Sequence, residues 1–438
     1  MTAAPNDSYW TSAIEQAQAN LEPALDGAHT ADVVCVGGGY TSLVTAYLLK
    51  KRDPSLDVVI LEGNHVGFGS SGRNGGMVLH EPHLERLPKH GAHTIRFTYD
   101  ETVRAIDFID ELAHEEDFDC ELERTGYLEI ALNSFHRKEQ AAKQKACREI
   151  GIELDVLDET AMQQTIQSER FTGALVYPKA AMLHPGKYVA GLKSAVLRRG
   201  VRLYENSPVQ RVRPESSAVT VATAAGSISA AKLVLGLNAY HPASGIGIVR
   251  DRAVTLFSFI ILTEPLSERH WKVIGWRGRE GYTDARRDHN YVRLTGDRIL
   301  FGGRVQYHFG LESPPEIDKI FARLHETLLE TFPSLHDIAI TRRWCGPVAI
   351  TWRRTPMIAS RENDNLWFAL GYSGMGVSLA TLCGRALADL VTGREQPWSD
   401  LLYLKDPLMP LPPEPLRFIG FKAGYLGMRF MDYVERFR

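Results

Sequence analysis

Cysteine is scarce in this chain and never arranged in pairs. Cys35, Cys120, Cys147, Cys345 and Cys383 are odd in number, far apart and nowhere in Cys-x-x-Cys spacing. That excludes a disulfide framework and a zinc knuckle and fits a reducing, cytoplasmic setting. Positive charge is not in excess either: Lys and Arg total 50 against 53 for Asp and Glu, a formal net charge of −3. Without a basic field no nucleic-acid partner is expected. Residues 1–20 lack a basic flank followed by an apolar run, so no secretory leader is expected. No stretch reaches the roughly 18 consecutive apolar residues of a spanning helix. The expectation is a soluble protein.

What is present is ample material for a core. At about 150 residues per domain, 438 residues make roughly three units. The hydrophobic share of 44% and charged share of 24% are close to globular averages of about 45–50% and about 25%. After a polar leader, residues 31–36 (Ala-Asp-Val-Val-Cys-Val) form a short β-branched run that stops at Gly37-Gly38-Gly39. Residues 40–51 carry leucines and alanines without a breaker, and residues 57–61 are a second apolar run ending at Glu62. Strand, glycine turn, helix and strand make a βαβ unit.

A glycine- and serine-rich stretch follows, Gly67-Phe-Gly-Ser-Ser-Gly-Arg-Asn-Gly-Gly76. Its place directly after a βαβ unit favours a ligand-cradling loop over a flexible linker. Residues 94–116 and 134–150 have helical patterns flanking a strand at 126–132, which reads as an inserted module. Alternating strand signals return over 171–240 with a helix at 184–199, and His184 in Leu-His-Pro-Gly reads as a helix-entry residue. Strands are expected at 253–263, 289–294 and 298–305 with a turn at Gly296-Asp297, then a helix over 315–332. Residues 366–370 are a last buried strand, and Gly371-Tyr-Ser-Gly-Met-Gly376 opens a helix reaching about Thr392.

In Gly37-x-Gly39-x-x-Ser42, Gly37 permits a tight turn and Gly39 lets backbone N–H groups approach a pyrophosphate. Serine replaces the usual glycine or alanine at the helix–strand contact. Glu62 ends the next strand, where a carboxylate accepts both ribose hydroxyls and repels a 2′-phosphate. A dinucleotide site follows, for FAD or NAD.

These pieces, together with Leu-Glu-Gly from Leu61 and Gly-Tyr-Ser-Gly-Met-Gly-Val from Gly371, resemble in order the FAD-dependent D-amino acid oxidase superfamily, over residues from about 32 to 393. The Ser-Gly-Arg-Asn-Gly-Gly loop is the most discriminating part. The resemblance implies FAD, held at its pyrophosphate by Gly37, Gly39 and Ser42 and at its ribose by Glu62. Ser71 to Gly76, including Arg73, Asn74 and Gly75, would lie beside the flavin ring, and Val209 would meet the adenine through its backbone. Asn238 would lie near the cofactor. Gly371 to Gly376 would place N–H groups at the pyrimidine edge, where a helix N-terminus stabilises arriving negative charge. Tyr40, Thr41, Ser70, Gly346, Tyr372, Gly374 and Met375 complete the implied cofactor set. Apart from any family, a guanidinium such as Arg73 near two phosphates offsets their charge; the other reading is a solvated loop arginine.

The resemblance implies an α/β enzyme: a doubly wound, glutathione-reductase-like FAD domain (30–85, 150–240 and 345–400) interleaved with a mixed or antiparallel-sheet substrate domain (86–149 and 241–344). Residues 401–438 form a proline-rich linker and an amphipathic helix that packs on its own domain, on another subunit or on a membrane surface. The implied reaction is oxidation of a C–N bond in an amine or amino acid. A 2-hydroxy acid dehydrogenase and a non-catalytic flavin-binding module are the alternatives on the same fold. Positioning residues rather than a catalytic triad are expected. The candidates are His80, Tyr291, Arg293, Arg304, Trp352 and Arg353, each of which also reads as an ordinary sheet-face or surface residue, and no metal site is expected. Residues 298–304 lack the lysine that promotes reaction with oxygen in some oxidases of the superfamily, so the acceptor is dioxygen or another oxidant. No histidine tether follows the βαβ unit, and Cys345, one residue out of register with a cysteine tether, reads as a buried thiol. FAD is therefore expected to be non-covalent.

Overall fold

The computed structural model describes residues 8–17, 21–240, 249, 251–307, 316–361, 365–394, 397–405 and 409–435. Two eight-stranded sheets organise the chain. The first has the order Met357–Arg361, Leu366–Leu370, Gly226–Leu235, Gly27–Val36, Val58–Leu61 and Arg202–Tyr204, with a hairpin, Arg211–Pro214 and Val219–Ala222, attached along Gly226–Leu235. The five strands from Leu366–Leu370 to Arg202–Tyr204 run parallel. Their apolar runs are continuous rather than alternating because both faces are covered: Val58–Leu61 is buried at every residue. Helix Tyr40–Arg52, buried from Tyr40 to Leu49, crosses helix Gly376–Leu390 at Gly384. A side chain there would meet Val44 and the Thr41 carbonyl.

The second sheet runs Ile340–Ile350, Val254–Thr263, Arg298–Tyr307, Asn290–Thr295, Gly281–Asp284, Tyr127–Ala131, Gly173–Tyr177 and Asp155–Leu157. It is antiparallel except where Gly281–Asp284 pairs with Tyr127–Ala131. Helix Ile317–Thr331 lays Phe321, Leu324 and Leu328 against Phe257, Phe259 and Phe301, the spacing of one helical face. Pro315, where the sequence places the start of that helix, lies outside the described residues.

Sheet membership departs from the expected segment boundaries in two places. Asp155–Leu157 and Gly173–Tyr177, grouped from sequence with the nucleotide half, pair in the second sheet through Tyr127–Ala131. Residues 345–350, also grouped with that half, are the end of a second-sheet strand beside Val254–Thr263. In both cases pairing with a distant strand, which local alternation does not encode, decides the assignment. His184 does enter a helix, capping Pro185–Arg198 through its ring nitrogen to the Lys187 N–H at 3.1 Å.

The leader is not simply polar. Helix Thr11–Ala17 follows Trp10, which is fully buried, and its indole N–H donates to the Asn74 carbonyl at 2.7 Å. Its ring meets Trp344 edge-on at 6.3 Å. Replacing Trp10 by alanine empties this position, and the expected loss is about 3–5 kcal/mol of unfolding free energy. Trp10→Phe, which removes chiefly the donor, should cost about 1–3 kcal/mol. Urea unfolding of both variants checks the order; equal stability of Trp10→Ala and wild type would contradict it.

Candidate active site

Parallel register brings three strand ends level: Val36 pairs with Leu61 on one side and Leu235 on the other. The chain therefore leaves the sheet at Gly37, Glu62 and Gly236 along one edge, the place where open α/β sheets bind ligands. A cavity of about 390 Å³ opens there. Gly37 has φ +101°, and a Cβ on it would lie 3.1 Å from the Gly236 carbonyl oxygen, so the turn requires glycine. Gly39 caps helix Tyr40–Arg52 without a side chain. The positive end of that helix faces the cavity, with its Tyr40 N–H donating to the Ser71 hydroxyl at 3.2 Å.

The Glu62 carboxylate accepts from the Gly38 N–H at 2.5 Å and from the Asn64 N–H at 2.9 Å. Burial raises its carboxyl above the ordinary carboxylate range, partly offset by these backbone donors.

The glycine-rich loop is fastened from several sides. Tyr40 donates its hydroxyl to the Ser71 carbonyl at 2.7 Å, and the Ser70 hydroxyl donates to the Pro347 carbonyl at 2.6 Å. The Asn74 amide donates to the carbonyls of Ser70 and Ser71 and accepts from the Gly76 N–H at 2.8 Å. Arg73 places its guanidinium 4.8 Å over the Phe68 ring, and Gly346 packs against the Arg73 side chain. The last glycine motif closes the crevice. The hydroxyls of Tyr372 and Thr41 share a hydrogen bond at 2.6 Å, and the Gly371 N–H donates to Asn238 Oδ1 at 3.0 Å.

Of the residues singled out for the cofactor, Gly37, Gly39, Tyr40, Thr41 and Glu62 line the cavity from the first motif. Ser70, Ser71 and Asn74 line it from the loop. Val209, Asn238, Tyr372, Gly374 and Gly376 complete that set. Ser42 instead faces Gly236 at the helix–strand contact. Arg73, Gly75, Gly76, Gly346, Gly371 and Met375 are not among the residues that line the cavity. Sequence reasoning passed over Phe68, Gly69, Pro208, Leu237, Tyr240 and Val348, which also line it. Leu237 and Tyr240 flank Asn238 at a strand end, a position that could have flagged them.

The six substrate candidates do not converge. Tyr291 and Arg293 reach the loop. The Tyr291 ring would meet a Cβ on Gly75 at 3.4 Å, and its hydroxyl pairs with that of Ser258 at 3.0 Å. Arg293 is buried, with Nη1 donating to the carbonyls of Gly76 at 2.9 Å and Leu183 at 2.6 Å; burial pulls it down to about 10. It is a brace rather than an open carboxylate fork. Arg304 is engaged by Asp288 and Thr327, each at 3.1 Å. His80 is buried away from the cavity wall between Tyr99 and Tyr177, and burial lowers it to about 3. Trp352 is 65% exposed, and Arg353 contacts the Met409 sulfur at 3.3 Å. Cys345 is buried in the core of the second sheet with Phe259 and Phe321.

Residues 32–390 match the model of the FAD-dependent oxidoreductase (DAO) family, and the chain belongs to that family. It is an oxidoreductase. Among its relatives is gamma-glutamylputrescine oxidoreductase of Escherichia coli, 32% identical over 391 residues, 87% of this chain and 89% of that protein. The probable oxidoreductase OrdL of Haemophilus influenzae is 29% identical over 427 residues, 95% and 94% of the two chains. Glycine oxidase from Geobacillus kaustophilus shares the fold with a TM-score of 0.73 at 19% identity, covering 86% of this chain and 100% of its own.

The residues present fit FAD: a glycine cradle that a Cβ would fill, a helix N-terminus at the crevice and the half-buried Glu62 carboxylate. Burial holds the Glu62 carboxyl above its ordinary value, so the folded chain binds this proton more tightly than the unfolded chain does. Its stabilising contribution is complete below the unfolded value and is lost as pH rises through the higher folded value. Glu62→Gln should remove that part of the pH dependence of unfolding. It should also weaken FAD binding about tenfold to a hundredfold, the worth of hydrogen bonds to a charged acceptor. Titration of apoprotein with FAD checks the second effect, and unchanged affinity would count against the ribose role.

Proposed function

We propose that this chain oxidises the carbon–nitrogen bond of a small amine or amino acid, with FAD bound non-covalently. The observation that carries the reading is the convergence of the three glycine motifs on one crevice beside the second sheet. Gly37, Gly39 and the N-terminus of helix Tyr40–Arg52 would hold the pyrophosphate, Glu62 the ribose and the Val209 backbone the adenine. Residues 71–76 and 371–376 would flank the ring. When bound, FAD supplies the acceptor for a hydride leaving the carbon next to nitrogen.

The chain's own part is orientation and exclusion of water. The N-terminus of helix Gly376–Leu390 turns its positive end toward the crevice, where Tyr372, Gly374 and Gly376 form the wall. Tyr291 is assigned to substrate positioning. Burial pushes its hydroxyl up, so it stays a protonated donor, and Ser258 fixes its direction. No base is required if the substrate arrives as a neutral amine. Cys345, held in the second core, supports non-covalent attachment. The strand Arg298–Tyr307 offers arginine but no lysine, which favours an acceptor other than dioxygen. The odd number and wide separation of the cysteines, all five buried, support a cytoplasmic setting.

The choice of a C–N bond draws on the amine and amino acid chemistry printed in the names of the relatives, gamma-glutamylputrescine oxidoreductase among them. The test is an anaerobic absorbance scan of the purified flavoprotein against polyamines, gamma-glutamyl amines, N-methyl amino acids, D-amino acids and 2-hydroxy acids. Bleaching near roughly 450 nm, a property of the cofactor itself, is expected with a nitrogen substrate and with release of ammonia or a smaller amine. Bleaching by 2-hydroxy acids alone would overturn the reading. Slow recovery of colour on admitting air is expected if the acceptor is not dioxygen.

A further inference from the structure

The C-terminal helix Leu416–Glu435 faces the wrong way for a helix that merely completes a core. Its inward side is polar and paired: Arg417 with Asp251 at 3.1 Å, Tyr425 with Asp288 at 2.9 Å, and Glu435 with Arg287 at 2.5 Å. Asp432 accepts from the backbone N–H groups of Arg287 and Asp288 at 3.0 and 3.1 Å. The Asn133 side chain donates to the Glu435 carbonyl at 3.1 Å. Phe421 adds a ring contact with Tyr307. These contacts span the helix from its first turn to its last, so it lies flat along the protein.

The outward side is apolar. Ile419, Leu426 and Phe430, spaced i, i+7 and i+11 on one face, are 58%, 64% and 68% exposed. Leu416, Met431 and Tyr433 widen the patch. Lys422 and Arg429, seven residues apart and both exposed, run along one flank. Both carboxylates of the helix, Asp432 and Glu435, are turned inward and paired, so the outward face carries cations and no anion although the whole chain is net negative. No helix among the described residues is long and apolar enough to cross a membrane.

We propose that this face seats the enzyme on an anionic lipid surface, with the helix lying in the plane of the interface. An apolar strip bordered by cations, on a helix fixed flat by its opposite side, is what such a surface accepts. A second copy of the chain would offer this face only the same cations, Lys422 and Arg429, and no acid to complement them. The inference is independent of which substrate the crevice takes.

Flotation of the full-length flavoprotein with vesicles of equal parts phosphatidylglycerol and phosphatidylcholine tests it. Wild type is expected to float with these vesicles and to stay behind with phosphatidylcholine alone. Lys422→Gln with Arg429→Gln should lower partitioning about thirtyfold, at about 1 kcal/mol per cation near an anionic surface. Leu426→Ser with Phe430→Ser should lower it about tenfold or more. All four substitutions are at exposed positions, and an unchanged thermal transition and flavin content verify folding. Wild type that fails to float, or flotation that neither double variant alters, overturns the proposal. So does a doubled mass in sedimentation that the Leu426→Ser, Phe430→Ser variant returns to a single chain while vesicle binding is absent, which would make the occupant a second copy.

Discussion

Between Ser71 and Gly76 the backbone has only the end of a short 3-10 turn, Ser70–Gly72, before a strand begins at Met77, so most of its carbonyls must find donors elsewhere in the chain. Side chains from four separate parts of the chain supply them. Tyr40, at the start of helix Tyr40–Arg52, serves Ser71; Ser8 and Trp10, ahead of the first strand, serve Gly72 and Asn74; Trp344 and Arg293, on two strands of the second sheet, serve Arg73 and Gly76. The loop is thereby held at the seam where the two sheets meet. It must also be made of small residues: a Cβ on Gly72 would run into the Gly67 carbonyl and Ile14, and one on Gly76 into the Leu183 carbonyl and Arg293. Composition and position have one cause.

With the loop fixed, the crevice has a rigid far wall. The near wall is made by strand ends whose level follows from parallel register, and the gap is spanned by a hydrogen bond across 331 positions of sequence, between Thr41 and Tyr372. Asn238 adds a second tie, to Gly371. Groups contributed by the beginning, middle and end of the chain therefore move together, and a bound dinucleotide meets preset backbone donors rather than ordering them.

Much of this was legible in the sequence because it depends on local chemistry. Continuous Val, Ile and Leu runs ending in glycine announce buried parallel strands and their turns, and Glu62 at the end of such a run announces a carboxylate at the crevice. The helix entry at His184 was readable for the same reason. What stayed hidden depends on distant partners. Nothing near Gly173–Tyr177 or residues 345–350 says which sheet edge each will join. Trp10 looked like one aromatic in a polar leader, and Arg293 looked like a sheet-face arginine, until the carbonyls they serve were placed beside them. The two braces of the loop were thus the least visible residues of the site.

The difference between cofactor and substrate legibility has a physical origin. The crevice is lined in large part by glycine turns and helix ends, so its requirement is written as glycine at fixed spacing. The face proposed for the substrate belongs to an antiparallel sheet, where any side chain of suitable size on alternate residues preserves the strand. Tyr291 packs its ring against Gly75, yet none of the loop's carbonyl donors comes from Tyr291 or Ser258. A fold built in this way keeps the two-electron chemistry constant while leaving the choice of amine to a few replaceable side chains. The glycine motifs therefore carry the reaction class, and the identity of the substrate has to be read from the sheet face.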